Sequence, residues 1–132
     1  KLTESFNLHA NWPKNLAKPY IVKASENLLE KFNGFTEGIT ATASGFYAPQ
    51  GREVRLKSSI DNMHETLTSF NYDGNKITNF EMESSALYYL GQTLGHNTLT
   101  ICAIIGNRIN KTQSSDYKST IDKLIIEVLE RI

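Results

Sequence analysis

An α/β fold, with a mixed sheet flanked by helices, is what this sequence of 132 residues predicts. Three features carry that prediction. Segments with strand character alternate with segments of helical periodicity; Leu99 to Ile105 is apolar almost without interruption, as a strand covered on both faces requires; and residues 117–132 carry a long apolar stripe. With 39% hydrophobic and 21% charged residues, the chain has the makeup of one globular domain, residues 1–132, able to bury about two thirds of its unfolded surface. It contains no internal repeat, low-complexity tract or linker.

Taken in order, residues 1–18 are polar and aperiodic and read as an irregular opening. Ser25 precedes a short helical pattern, Leu28, Leu29 and Phe32, which Gly34 ends. Phe35 to Ala43 is rich in Thr and Ile, and Val54 and Leu56 alternate with Glu53 and Arg55, so both segments read as strands on either side of the loop Ser44 to Gly51. Ser58 and Asp61 form a capping-box pattern beside Ile60, Met63, Leu67 and Phe70, whose spacing marks one helical face. Asn71 to Asn75 turns the chain. A short strand over Ile77 to Phe80 leads to a helix from about Met82 to Leu94, stopped by Gly95. Leu99 to Ile105 is then expected at the centre of the sheet. Tyr117, Ile121, Leu124, Ile125, Val128 and Ile132 line one side of a final helix, opposite Lys118, Asp122, Lys123, Glu127 and Arg131, and that helix is expected to pack on the sheet.

Charge and cysteine usage exclude several classes of function. Fourteen Lys and Arg balance fourteen Asp and Glu, leaving no basic field for nucleic acid or an anionic membrane. The single cysteine, Cys102, rules out an intrachain disulfide and reads as a buried thiol in a reducing compartment. No apolar stretch has membrane-spanning length and no secretory signal opens the chain, so a cytoplasmic location is expected. Because the chain begins at Lys1 rather than Met, it is expected to be part of a longer protein. His9, His64 and His96 lack metal-ligand spacing and read as surface residues, and no metal site is expected. Ser44 has no His-Asp partners in its surroundings, which argues against a serine nucleophile.

Two segments carry chemistry. In Ser44-Gly45-Phe46-Tyr47-Ala48-Pro49-Gln50-Gly51-Arg52, Gln50 and Arg52 lie two residues apart, so an extended backbone sends both side chains to one side. An amide beside a guanidinium suits the donor and acceptor edge of a uracil ring, with Phe46 available to stack on its face. A Gly/Pro loop with a surface Gln and Arg satisfies the same spacing. In Asn79-Phe80-Glu81-Met82-Glu83-Ser84, two carboxylates fall where a strand becomes a helix. Glu83 can accept both hydroxyls of a vicinal diol, and Met82 can floor a sugar; equally, the two carboxylates can simply complement a helix dipole.

These residues resemble a known family. Phe46-Tyr47 with Gln50-Gly51-Arg52 is similar to the uracil-binding loop of uridine phosphorylases, and Phe80-Glu81-Met82-Glu83-Ser84 to the ribose-binding E-M-E motif of nucleoside phosphorylases and nucleosidases. The likeness runs on through Ile105-Gly106-Asn107-Arg108 to the last helix, covers roughly residues 20–132, and corresponds to the family's C-terminal half. It implies that Phe46, Gln50 and Arg52 hold the base, that Met82 and Glu83 hold the ribose, and that Glu81 supports that corner. Arg52, Glu83 and Arg108 are implied in catalysis, with Arg108 standing where purine-specific relatives carry an Asp that protonates the leaving base. The implied reaction is reversible phosphorolysis of uridine or a related pyrimidine nucleoside to free base and ribose 1-phosphate. Inorganic phosphate is the co-substrate, no metal or organic cofactor is implied, and a homo-oligomer is the implied assembly. The family's phosphate-binding loop has no counterpart here, so this chain is expected to supply the base and ribose sites alone. A hydrolytic nucleosidase of the same fold and a non-catalytic nucleoside-binding domain are the alternatives.

Overall fold

A computed structural model describes residues 1–132 and confirms a mixed α/β architecture. Its first element corrects the reading of the opening, because Leu2–His9 forms a helix, α1. What makes it one is tertiary packing: the Phe6 ring meets Phe70 edge-on at 5.2 Å and Trp12 at 5.9 Å, and His9 Nε2 donates to the Thr66 carbonyl at 2.9 Å. Helix α2 (Glu26–Lys31) follows Ser25 as expected, although the Ser25 hydroxyl donates to Asn97 Oδ1 at 2.9 Å instead of capping the helix.

The sheet is built from β1 (Ile39–Thr42), β2 (Asn71–Tyr72) and β3 (Asn75–Glu81) in the order β1-β3-β2. Strands β2 and β3 form an antiparallel hairpin whose two-residue turn places Asp73 at φ 51° and Gly74 at φ 84°, the left-handed pair that a tight hairpin of native twist needs. Strands β1 and β3 run parallel, and their register sets Thr42 opposite Glu81. The carboxyl ends of the two parallel strands therefore coincide, and both segments singled out for chemistry leave the sheet from that edge.

Between them lies α3 (Met63–Ser69), shorter than its apolar spacing predicts. The capping box does not form. Ser58 Oγ accepts from the Ile60 backbone N–H at 3.3 Å and the Ser58 N–H donates to Glu53 Oε1 at 3.0 Å, closing a turn, while Asn62 at φ 50° starts the helix. Val54 and Leu56 are also not a strand: no ladder partner lies alongside, and the alternation leaves both side chains largely in solvent. Helix α4 (Ser84–Thr93) begins two residues later than expected, after Glu83.

The larger correction concerns Leu99 to Ile105. The run is not a central strand; it joins no ladder, and only a two-residue hairpin of β4 (Gly106–Asn107) and β5 (Thr112–Gln113) follows it. Cys102 is exposed rather than buried. Helix α5 (Tyr117–Leu129) forms as predicted, with Asp116 accepting from the Ser119 N–H at its start, but it flanks residues 102–104 across an open groove of about 340 Å³ instead of packing on the sheet. The physical reason is that an apolar run needs backbone partners on both sides to become an inner strand, and none arrives. No residue after Gly91 is buried. The chain exposes 10040 Å², whereas a compact protein of 14.9 kDa exposes about 7,000 Å².

Candidate functional site

The loop after β1 is shaped by Pro49, which sits at the start of a 3₁₀ turn over Ala48–Gln50, and by Gly51, whose φ of 69° only glycine adopts readily. Tyr47 O accepts from the N–H groups of both Gln50 and Arg52, at 2.9 and 3.0 Å. The backbone between Gln50 and Arg52 is thus turned, not extended as the spacing argument assumed. Their side chains meet all the same. Arg52 Nη1 donates to Gln50 Oε1 at 2.5 Å and to the Phe46 carbonyl at 2.6 Å, and its guanidinium lies 3.8 Å over the Phe46 ring.

Arg108 arrives at the same atom from the far end of the sequence. Its Nη2 donates to Gln50 Oε1 and its Nη1 to the Gln50 carbonyl at 3.0 Å. Since a guanidinium only donates, the side-chain oxygen of Gln50 must face the two arginines, which leaves the amide nitrogen pointing elsewhere. Gln50 is 3% exposed, yet that nitrogen is not among the sealed polar atoms left without a partner. No carboxylate pairs with either arginine; the ion pairs in the chain are those of the amino terminus with Glu4 and of Arg131 with Glu127. Partial burial, and then the charge of Arg52, hold the Arg108 pKa below its ordinary value. The cluster is a concentrated positive field with hydrogen-bond donors, suited to carbonyl oxygens that gain negative charge.

At the end of β3 the two glutamates divide. Glu81 turns inward and both its oxygens are engaged: Oε1 accepts from Thr42 Oγ1 at 2.5 Å, and Oε2 from the N–H groups of Glu83 and Ser84 at 2.7 Å each. Thr42 Oγ1 in turn accepts from the Ser85 N–H at 3.1 Å. Burial raises the Glu81 pKa, but the hydrogen bonds from Thr42, Glu83 and Ser84 outweigh it and hold the group below its ordinary value. Glu81 is therefore an ionised cap on α4 with both oxygens engaged. Glu83 is exposed, and its side chain makes one hydrogen bond, Oε2 accepting from the neighbouring Met82 N–H at 3.2 Å. It keeps the acceptor capacity that a diol needs.

Phe46, Gln50, Arg52 and Arg108 thus form one cluster, and the Arg108 guanidinium, 5.4 Å from the Phe80 ring, ties it to the strand that carries Glu81, Met82 and Glu83. Met82 and Glu83 stand exposed at the strand end, and the hydrogen bonds of their N–H groups and side chains stay within that turn and do not reach the arginine cluster. Sequence reasoning missed Thr42, which locks the Glu81 corner, and His64, half-buried beside Gly51 and not a surface residue. Thr42 was open to discovery as the hydroxyl at the end of the strand facing the E-M-E segment. Nowhere do three His, Cys, Asp or Glu side chains converge as a metal site would need, and no helix is long and apolar enough to cross a membrane.

Comparison with known proteins bears on the family of the chain. The uridine phosphorylase of Thermococcus kodakarensis is 32% identical over 92 residues, a stretch that takes in 67% of this chain and 30% of that protein. The chain therefore spans less than half the length of the curated relative it matches. No solved structure matches it. The sequence model of the phosphorylase superfamily matches residues 6–130, nearly the whole length, so the chain belongs to the phosphorylase superfamily.

Proposed function

We propose that this chain supplies the base and ribose sites for reversible phosphorolysis of uridine or a closely related pyrimidine nucleoside. The observation that carries the reading is the pair of guanidinium groups, Arg52 and Arg108, joined on Gln50 Oε1 with no carboxylate to neutralise them. A pyrimidine leaving a sugar accumulates negative charge on its ring carbonyls. Donors fixed beforehand in a positive field stabilise that charge more than they stabilise the neutral substrate. Arg52 and Arg108 take that role, the Gln50 amide nitrogen donates to a further carbonyl, and Phe46 borders the ring. Glu83 accepts from the ribose hydroxyls, Met82 lies beneath the sugar, and Glu81 keeps the turn between them in shape.

In the reaction, an oxygen of inorganic phosphate forms a bond to the anomeric carbon as the bond to the base nitrogen breaks, and the electron pair leaves with the base. Phosphate is a co-substrate and not a resident group, and its site lies outside this chain. No metal or organic cofactor takes part. The working enzyme is a cytoplasmic homo-oligomer whose sites this chain helps to form.

Replacement of Arg52 tests the reading. In the assembled enzyme, Arg52→Ala lowers kcat/KM for uridine by roughly 10²-fold, and Arg52→Lys recovers little because a point ammonium cannot reproduce the planar fork. Glu83→Gln weakens every accepted nucleoside by a similar factor without changing the preference for uracil. Uracil release that does not require phosphate would mean hydrolysis instead, and cleavage of adenosine faster than uridine would remove the pyrimidine assignment.

A further inference from the structure

His64 has no part in the reading above. Helix α3 carries its imidazole beneath the base loop, where a methyl group built on Gly51 would lie 3.3 Å from Nε2 and 3.6 Å from Cδ2. The ring lies against Gly51, the residue between Gln50 and Arg52 whose left-handed backbone lets those two side chains meet. It makes no hydrogen bond within the chain, so close packing alone holds it. The charges that face it are the guanidinium groups of Arg108, from the turn after β4, and of Arg52, from the loop; on its own helix the neighbouring Glu65 is exposed. Burial first, then Arg108, then Arg52 hold its pKa below the ordinary histidine value.

We propose that His64 is a positioning residue for the base loop and serves only as the neutral imidazole: a proton on it sets a third positive charge beside Arg52 and Arg108 and loosens their shared hold on Gln50. The inference rests on the pyrimidine-site reading. Neutral imidazole fills the space under Gly51 without opposing the two arginines, so the loop keeps the shape that presents the Gln50 amide. Imidazolium in the same space repels both, and no carboxylate pairs with either arginine to relieve it. The sign follows. A ligand that needs the neutral form binds fully above the His64 pKa, and its affinity falls as pH drops through that value, by at most about tenfold per pH unit.

Calorimetric titration with uracil between about pH 8 and pH 5, alongside an NMR titration of the His64 ring, tests this. Uracil affinity of the unaltered protein is expected to fall on acidification with the same midpoint as the ring. His64→Gln, which stays neutral, removes that acid limb and keeps affinity at pH 8 within about threefold, whereas His64→Lys lowers it there by about tenfold or more. Arg52→Gln raises the ring's midpoint. A His64→Gln protein that keeps the original acid limb overturns the proposal, and so does a ring in the unaltered protein that titrates at or above the ordinary histidine value. If neither uracil nor uridine binds at any pH, it is the pyrimidine-site reading that fails, and the inference falls with it.

Discussion

Two apolar parts of this chain meet opposite fates. Around Phe70, which is 2% exposed, the rings of Phe6 and His9 approach edge-on and Leu67 packs from the same helix. Along residues 101–105 and α5, side chains of the same kind stay in solvent: Ile104 is 60% exposed, Ile126 57% and Leu129 64%. Hydropathy does not separate them. What differs is that the first part is met by a helix from the other end of the sequence, while the second has a groove on one side and no strand partner on either. An apolar run states a demand for cover, and only the rest of the fold decides whether it is met. The excess of about 3,000 Å² over a compact chain of this mass is larger than the roughly 1,600 Å² that a standard protein interface buries.

The sharpest way to break this comparison is to truncate one side chain in each part. Phe70→Ala removes a fully enclosed ring and is expected to lower unfolding stability by about 3–5 kcal/mol, whereas Ile126→Ala stays within about 0.5 kcal/mol, both by denaturant titration at dilutions where the chain is dissociated. A large loss for Ile126→Ala would show that α5 is covered in solution. Next in size is association. The exposed face drives concentration-dependent self-association in sedimentation, and charging it with Ile126→Lys and Leu129→Lys shifts the protein to smaller species, while Lys at the already exposed Val54 changes nothing. A protein that sediments as a monomer at every concentration would contradict the open surface.

A smaller effect sharpens the contrast at the Glu81 corner, where both carboxylate oxygens are hydrogen-bonded. Because the folded-state pKa of Glu81 lies below its ordinary value, its contribution to stability is complete above that value and is lost as pH falls through the lowered one. Thr42→Val removes one of the hydrogen bonds responsible and is expected to cost about 1 kcal/mol at neutral pH and less in acid. An equal cost at both ends of the pH range would mean that the Thr42 hydroxyl does not favour the ionised carboxylate.

Much of the fold, and the residues that make up the candidate site, are legible in the sequence. The turn over Asn71 to Asn75 showed in its residue types, the helices α4 and α5 in their period, and the candidate site in Gln50, Arg52 and the Glu81-Met82-Glu83 run, whereas the pairing of β2 with β3 did not. Such signals are local: a turn residue, a helical stripe or a motif keeps its meaning whatever the rest of the chain does. The errors share the opposite property. Val54 with Leu56 and the run 99–105 needed strand partners, α1 drew its stability from Phe70 more than sixty residues away, and the imidazole of His64 took its surroundings from a loop and a distant turn.

The sequence by itself therefore determined which donors, acceptors and charges the candidate site can offer, because those inventories belong to the side chains. Only the tertiary structure decided how they divide the task. The parallel register of β1 and β3 brings two remote segments to one edge, Arg108 joins Arg52 on a single oxygen, and Thr42 commits Glu81 to the backbone while Glu83 stays free. The physical reason is that hydrogen bonding and charge act over a few ångströms, and distances of that size between residues far apart in sequence are set by packing alone.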